Sequence, residues 1–197
     1  MLFGKRHKKQ KRKGYTFHEF MLLFPFCTKE RQEELVEILA NEPCPMFLGG
    51  KRVPSDLNGV SYGLLDDLHG ISERGTDPTP EAIKILLGLK IEEIAKLPIE
   101  EVYGFRNFLV RELERINNLF AEIKVNYSSE EISAGVNNLS FGSFGVLDWY
   151  AKRMGITNQN EVRDVAWVRI YTCMANDTAQ NNYERRLNKQ YTNKMKR

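Results

Sequence analysis

Side chains able to hold a metal or attack a substrate are scarce in this chain. Its histidines are His7, His18 and His69, and its cysteines are Cys27, Cys44 and Cys173. No His lies at helical spacing from another His or from a Cys, so the ligand patterns of a zinc site are missing. The cysteines are odd in number, far apart and without a C-x-x-C, which points to a reducing compartment and excludes a disulfide framework. Long apolar runs are also absent: nothing approaches the ~18 residues of a membrane span. Phe20 to Phe26 is the longest candidate. It is short, ends in Pro25-Phe26-Cys27-Thr28 and lacks an A-x-A-type cleavage site, so neither a signal peptide nor a membrane anchor is expected. Sustained apolar–polar alternation is missing too, which argues against a sheet.

What the chain does have is a hydrophobic fraction of 42%, enough for a core. It also has a segregated charge pattern beneath a net charge of +3. Residues 1–13 carry Lys5, Arg6, Lys8, Lys9, Lys11, Arg12 and Lys13 with no acid, and residues 185–197 carry six more bases with no acid. The 16 remaining bases face all 26 acids in residues 14–184, a net of −10. An acidic body repels phosphate, so nucleic acid is expected to engage only the basic ends, through salt-sensitive contacts. A solvated tail that touches an acidic neighbour explains residues 1–13 equally well.

Helical signals dominate. Thr28 can cap a helix with Leu35, Val36 and Leu39 inward, ended at Asn41-Glu42-Pro43. Thr79-Pro80 opens a helix that Gly88 ends. Phe105, Phe108, Leu109, Leu113, Ile116, Phe120 and Ile123 form one stripe, predicting a long central helix over 105–123. Ser128 and Glu131 fit a capping box for a helix through Leu139. Further helices are expected over about 160–174 and 177–191. The predicted fold is mainly α: a multi-helix bundle of short helices around the long one, with basic disordered termini. The predicted organisation is a basic tail (1–14), a helical domain (15–125) and a C-terminal helical lobe (126–197) that ends in a basic tail and is either separate from the first domain or continuous with it.

Three apparent motifs fail on inspection. Gly49-Gly50-Lys51-Arg52 lacks the first glycine and the Ser/Thr of a phosphate-binding loop, and Pro54 follows; a turn is the better reading. Gly142-Ser143-Phe144-Gly145 matches the G-x-x-G of a KH loop but has no adjacent base and no sheet. It reads instead as a helix stop at Gly142 and a helix start, with Phe141 or Phe144 packed on the core. Adjacent acids such as Asp66-Asp67 and Glu130-Glu131 point in different directions on a helix and make no acid–base pair. No catalytic residue, cofactor or metal is therefore expected.

A helix-turn-helix corner is the stronger signal. Leu147, Tyr150, Ala151 and Met154 share a face, Gly155 ends the helix and Ile156 plugs the turn. Arg163 is then the only early base of a recognition helix in which Glu161 and Asp164 would face phosphate. Residues 147–174 thus define an alternative, a DNA-binding regulator with its corner at Ala151, Gly155, Ile156 and Arg163. An RNA-associated protein using both basic ends is a third reading.

Several segments taken together carry a family resemblance. Val53-Pro54-Ser55-Asp56-Leu57-Asn58-Gly59-Val60-Ser61-Tyr62-Gly63 leads into a helix and the unit Ile85 to Val102. Ala134 to Gly142 is followed by Leu147-Asp148-Trp149-Tyr150-Ala151 and Tyr183-Glu184-Arg185-Arg186. This order resembles small helical proteins of bacteriophages and prophages of the Bacteroides group associated with tail or virion assembly, over about residues 53–187. The resemblance implies a non-enzymatic, soluble assembly protein, akin to a tail-assembly chaperone, in the bacterial host cytoplasm or in the virion. Its partners would be phage structural or assembly proteins, with a homo-oligomer compatible. Such a protein needs a surface for an apolar partner segment. Phe17, Phe20, Phe24 and Phe26 are the candidate surface; burial against the long helix is the competing expectation, and the favoured one.

Overall fold

The computed structural model describes residues 14–72 and 77–195. The fold is mainly α, as the periodicity predicts. The helices are α1 (Phe17–Leu23), α2 (Lys29–Ala40), α3 (Tyr62–Ser72), α4 (Thr79–Leu87), α5 (Ile91–Ile94), α6 (Ile99–Ala121), α7 (Ser129–Ser133), α8 (Gly142–Met154) and α9 (Trp167–Met195). Short 3-10 turns cover Phe24–Phe26, Val136–Asn138 and Gln159–Asp164. A two-residue hairpin, β1 (Phe47–Leu48) and β2 (Lys51–Arg52), turns at Gly49-Gly50, whose φ values of 54° and 76° suit a type I′ turn. The Gly-Gly-Lys-Arg stretch is therefore a turn.

The chain divides into two compact units, and neither is continuous in sequence. The first comprises residues 1–53 and 79–109, the second residues 54–78 and 110–197. The division falls inside α6, not at the 124–128 segment expected to separate a domain 15–125 from a lobe 126–197. The cause is long-range pairing that local pattern does not report. In the second unit Ser61 bridges Ala166, the Tyr62 N–H donates to the Val165 carbonyl at 2.8 Å, and Trp167 N–H donates to Val60. That pairing draws residues 54–78 to the start of α9.

In the first unit, α1 is tied to the turn between α5 and α6. Phe17 N–H donates to the Leu97 carbonyl at 2.8 Å, His18 N–H to Ala95 at 3.0 Å, and Ile99 N–H to Tyr15 at 3.0 Å. Two orphan donors of α1's first turn thus find carbonyls outside the helix. A capping box satisfies others: Thr16 Oγ1 accepts from Glu19 N–H, and the Glu19 carboxylate accepts from Thr16 N–H. Buried Phe17, Phe20, Ile83, Ile94, Val102 and Phe105 contribute to the core. α6 approaches the 43–45 loop so closely that Gly104 is obligatory, since a Cβ there would lie 2.1 Å from the Pro43 carbonyl oxygen.

In the second unit, the core is built on Trp167, which is fully buried with Tyr150, Ile116, Leu57 and Ile170. Its indole N–H donates to the Leu57 carbonyl at 2.7 Å, and its ring packs at 6.0 Å from Phe120 and 6.2 Å from Tyr171. Leu57 N–H donates to Glu112, whose carboxylate also receives Arg115; Arg115 reaches Asn58 Oδ1 at 2.8 Å. One loop is thereby stapled through both its N–H and its C=O.

Several expected boundaries move. α6 begins at Ile99, directly after Pro98, with Glu100 and Glu101 favouring its N-terminus. The helix expected from Ser128 through Leu139 stops at Ser133, because Gly135 takes φ 86° and a 3-10 turn follows; the capping box itself forms. The helices expected over 160–174 and 177–191 are one, α9, which starts at Trp167 and runs through the basic C-terminal segment to Met195. Nothing between Met174 and Asp177 breaks a helix.

Candidate interaction surfaces

The phenylalanines after the N-terminal basic segment separate by helical geometry. Phe17 and Phe20, three residues apart, are buried; Phe24 is half-buried, and Phe26 is 88% exposed. The ring of Phe20 lies 5.1 Å from Phe24 and 5.9 Å from Tyr103. The four therefore do not form one surface. Two hold α1 in place, as the burial expectation has it, and Phe26 projects. Its exposed neighbours are residues that the aromatic spacing does not mark: Leu22 at 56% and Leu23 at 50%. Pro25 is the second residue of the 3-10 turn, and Gln32 Nε2 donates to the carbonyls of Phe24 (2.9 Å) and Cys27 (3.3 Å). The turn that carries Phe26 is thus fixed from both sides. The signal available in sequence was the unbroken apolar run itself, which one helix face cannot bury.

A second apolar surface lies in the second unit. Leu139, Phe141 and Phe144 are 63%, 71% and 64% exposed, so neither phenylalanine packs on the core as expected. Gly142 takes φ 54°, as expected of a left-handed position, but it is the first residue of α8 and not a helix stop. A Cβ at Gly145 would lie 2.5 Å from Phe141 Cβ, so Phe141 lies against the bare helix start. The G-x-x-G spacing serves this local packing.

The corner after α8 forms as predicted at its first half. Ala151 is buried, Gly155 takes φ 68°, and Ile156 N–H donates to the Ala151 carbonyl at 2.9 Å. Its second half differs. Gln159–Asp164 is a 3-10 turn capped by Asn158, with Val162 completely buried, so no helix occupies the recognition position. Arg163 turns back into the unit, where it bonds the carboxylates of Asp66 (3.2 Å) and Asp67 (2.7 Å) and the Gly63 carbonyl. Those bonds hold the guanidinium even more firmly in its charged form. Asp66 also accepts from Ser143. The aspartate pair is thus a structural anchor for this corner.

The basic N-terminal segment, Lys5 to Lys13, lies outside the described residues. The C-terminal one is helical: Arg185, Arg186, Lys189 and Lys194 all belong to α9. Arg185 pairs with Glu131 and lies 5.9 Å from the Tyr127 ring centroid. The Arg185 hydrogen bond, together with the Ser128 N–H, lowers the Glu131 carboxyl to about 2.

Among the described residues no group of His, Cys, Asp or Glu is arranged to hold a metal ion, and no helix is long and apolar enough to cross a membrane. The chain matches no family model, no curated protein and no solved structure.

Proposed function

We propose that this chain is a non-catalytic assembly protein of a bacteriophage or prophage, acting by protein–protein contact in the manner of a tail-assembly chaperone. One observation carries the contact-based reading: Leu22 and Leu23 are exposed at the end of α1, and Phe26 is exposed on the following turn, which Pro25 and Gln32 fix. An apolar side chain held rigid in water loses little conformational freedom when a partner covers it, so its burial is retained as affinity. The complementary ligand is the apolar face of a helix, as in other helix-in-groove complexes. The phage context rests on the resemblance over residues 53–187. Host cytoplasm during assembly is the expected location.

The test is co-expression with a long coiled-coil tail protein from the same phage, followed by affinity purification. The wild-type chain should co-purify with it. Phe26→Ser combined with Leu22→Ser should lose the partner at least tenfold while changing the melting temperature little, because Phe26 is 88% and Leu22 56% exposed. Full retention of the partner by this variant would refute the assignment of the surface. Absence of any tail partner for the wild-type chain would refute the assembly reading.

A further inference from the structure

The C-terminal half of α9 and the segment Asn126–Glu130 enclose a groove of about 730 Å³ within the second unit. One face of the helix lines it: Asn182, Arg185, Lys189 and Asn193 recur at i, i+3, i+7 and i+11, with Arg186 beside them. Arg185 is neutralised by Glu131. Arg186 and Lys189 are exposed and form no salt bridge among the described residues. Glu130 is the acid in the lining, and it offsets part of the Lys189 charge. No acid follows Glu184 in the sequence, and Lys194 adds to the positive charge of this end of the helix.

Helix electrostatics do not account for these cations. The macrodipole favours bases only within about the last turn. That covers Lys194 but not Arg186 and Lys189, which precede Met195 by more than a turn. The remaining lining consists of amides and hydroxyls, including Asn126, Asn188, Ser129 and Thr192. A protein-binding site would need an apolar anchor at its centre. Lys/Arg with Asn, Ser and Thr is the set that contacts phosphate and sugar. Tyr127 is 40% exposed, and its ring, with the Arg185 guanidinium 5.9 Å from the centroid, offers a surface on which a base can stack.

We propose that this groove binds the sugar–phosphate backbone of single-stranded nucleic acid, with Arg186 and Lys189 on phosphates and Tyr127 stacking a base. The two cations are separated by about 4.5 Å along the helix axis, within reach of neighbouring phosphates for side chains of this length. This site is independent of the Phe26 surface, and neither proposal needs the other.

The test is fluorescence anisotropy of a labelled thymidine oligonucleotide with the full chain, titrated at several salt concentrations. Arg186→Glu with Lys189→Glu should weaken binding at least tenfold at low salt. It should also flatten the plot of log affinity against log salt by about 1.4, at about 0.7 per lost phosphate contact. Circular dichroism should be unchanged, and Arg186→Lys with Lys189→Arg should bind like the wild type. Tyr127→Ala should weaken binding without altering the salt slope. Unchanged affinity in the charge-reversed variant, with loss on replacing Lys8, Lys9, Lys11 and Lys13 by Gln, would assign binding to the N-terminal segment and overturn the proposal. So would wild-type protein that ignores the oligonucleotide at low salt, or that prefers a poly-glutamate peptide of equal charge.

Discussion

Gly104→Ala separates local from tertiary reasoning, because the two predict opposite signs. Position 104 lies inside α6, where alanine stabilises a helix by up to about 1 kcal/mol over glycine. The surroundings reverse this. The added methyl would lie 2.1 Å from the Pro43 carbonyl oxygen, 3.0 Å from its carbon and 3.3 Å from Pro45 Cδ. Carbon–oxygen contacts close to no less than about 3.3 Å, so helix and loop must part by about 1 Å. The loop cannot yield without loss. Asn107 Nδ2 donates to the carbonyls of Leu39 at 2.8 Å and Glu42 at 3.2 Å, pinning the chain just before Pro43. Overpacking costs about 1–3 kcal/mol, and each weakened hydrogen bond about 0.5–1.5 kcal/mol. With both Asn107 bonds weakened and the propensity gain subtracted, the net destabilisation is about 1–5 kcal/mol. For a chain of this size that lowers Tm by about 2–20 °C in a thermal melt. An unchanged or raised Tm would refute the close packing of α6 on this loop.

Trp167→Phe should destabilise the protein by about 2–3 kcal/mol in urea denaturation, because the Leu57 carbonyl loses its buried donor and the smaller ring leaves a void; a loss under 0.5 kcal/mol would contradict the role given to the indole N–H. Glu112 is held below its ordinary pKa first by the Arg115 hydrogen bond, with the Leu57 N–H assisting against partial burial. A folded pKa below the unfolded one adds stability that is complete well above pH 4.5 and is lost as the pH falls through the folded value. Glu112→Gln should therefore flatten the stability profile below pH 4.5, measured by urea denaturation at several pH values, and an unaltered profile would refute the staple. Glu131 obeys the same sign, and nuclear magnetic resonance titration should place its midpoint near 2 in the wild type and higher in Arg185→Met, still below the ordinary 4.5 because the Ser128 hydrogen bonds remain.

The local rules were legible where a single segment suffices to satisfy them. The capping box at Ser128, the Thr28 cap, the Gly49-Gly50 turn and the left-handed Gly88 and Gly155 form as their chemistry demands. Composition and the 3.6-residue period determined a mainly α fold, and the missing ligand spacings left no metal cluster to expect. Tertiary structure decided what depends on partners distant in sequence. Whether an apolar residue is core or surface turned on what stood opposite it: Phe17 and Phe20 found a core, while Phe26, Phe141 and Phe144 did not. Arg163 looked like a base aimed at phosphate until Asp66 and Asp67, almost a hundred positions away, came within bonding distance. The grouping of residues 54–78 with 110–197, and the groove under α9, exist only once the chain is closed on itself. A sequence records the propensity of each segment; burial and charge pairing are properties of pairs of segments, and only the folded chain brings those pairs together.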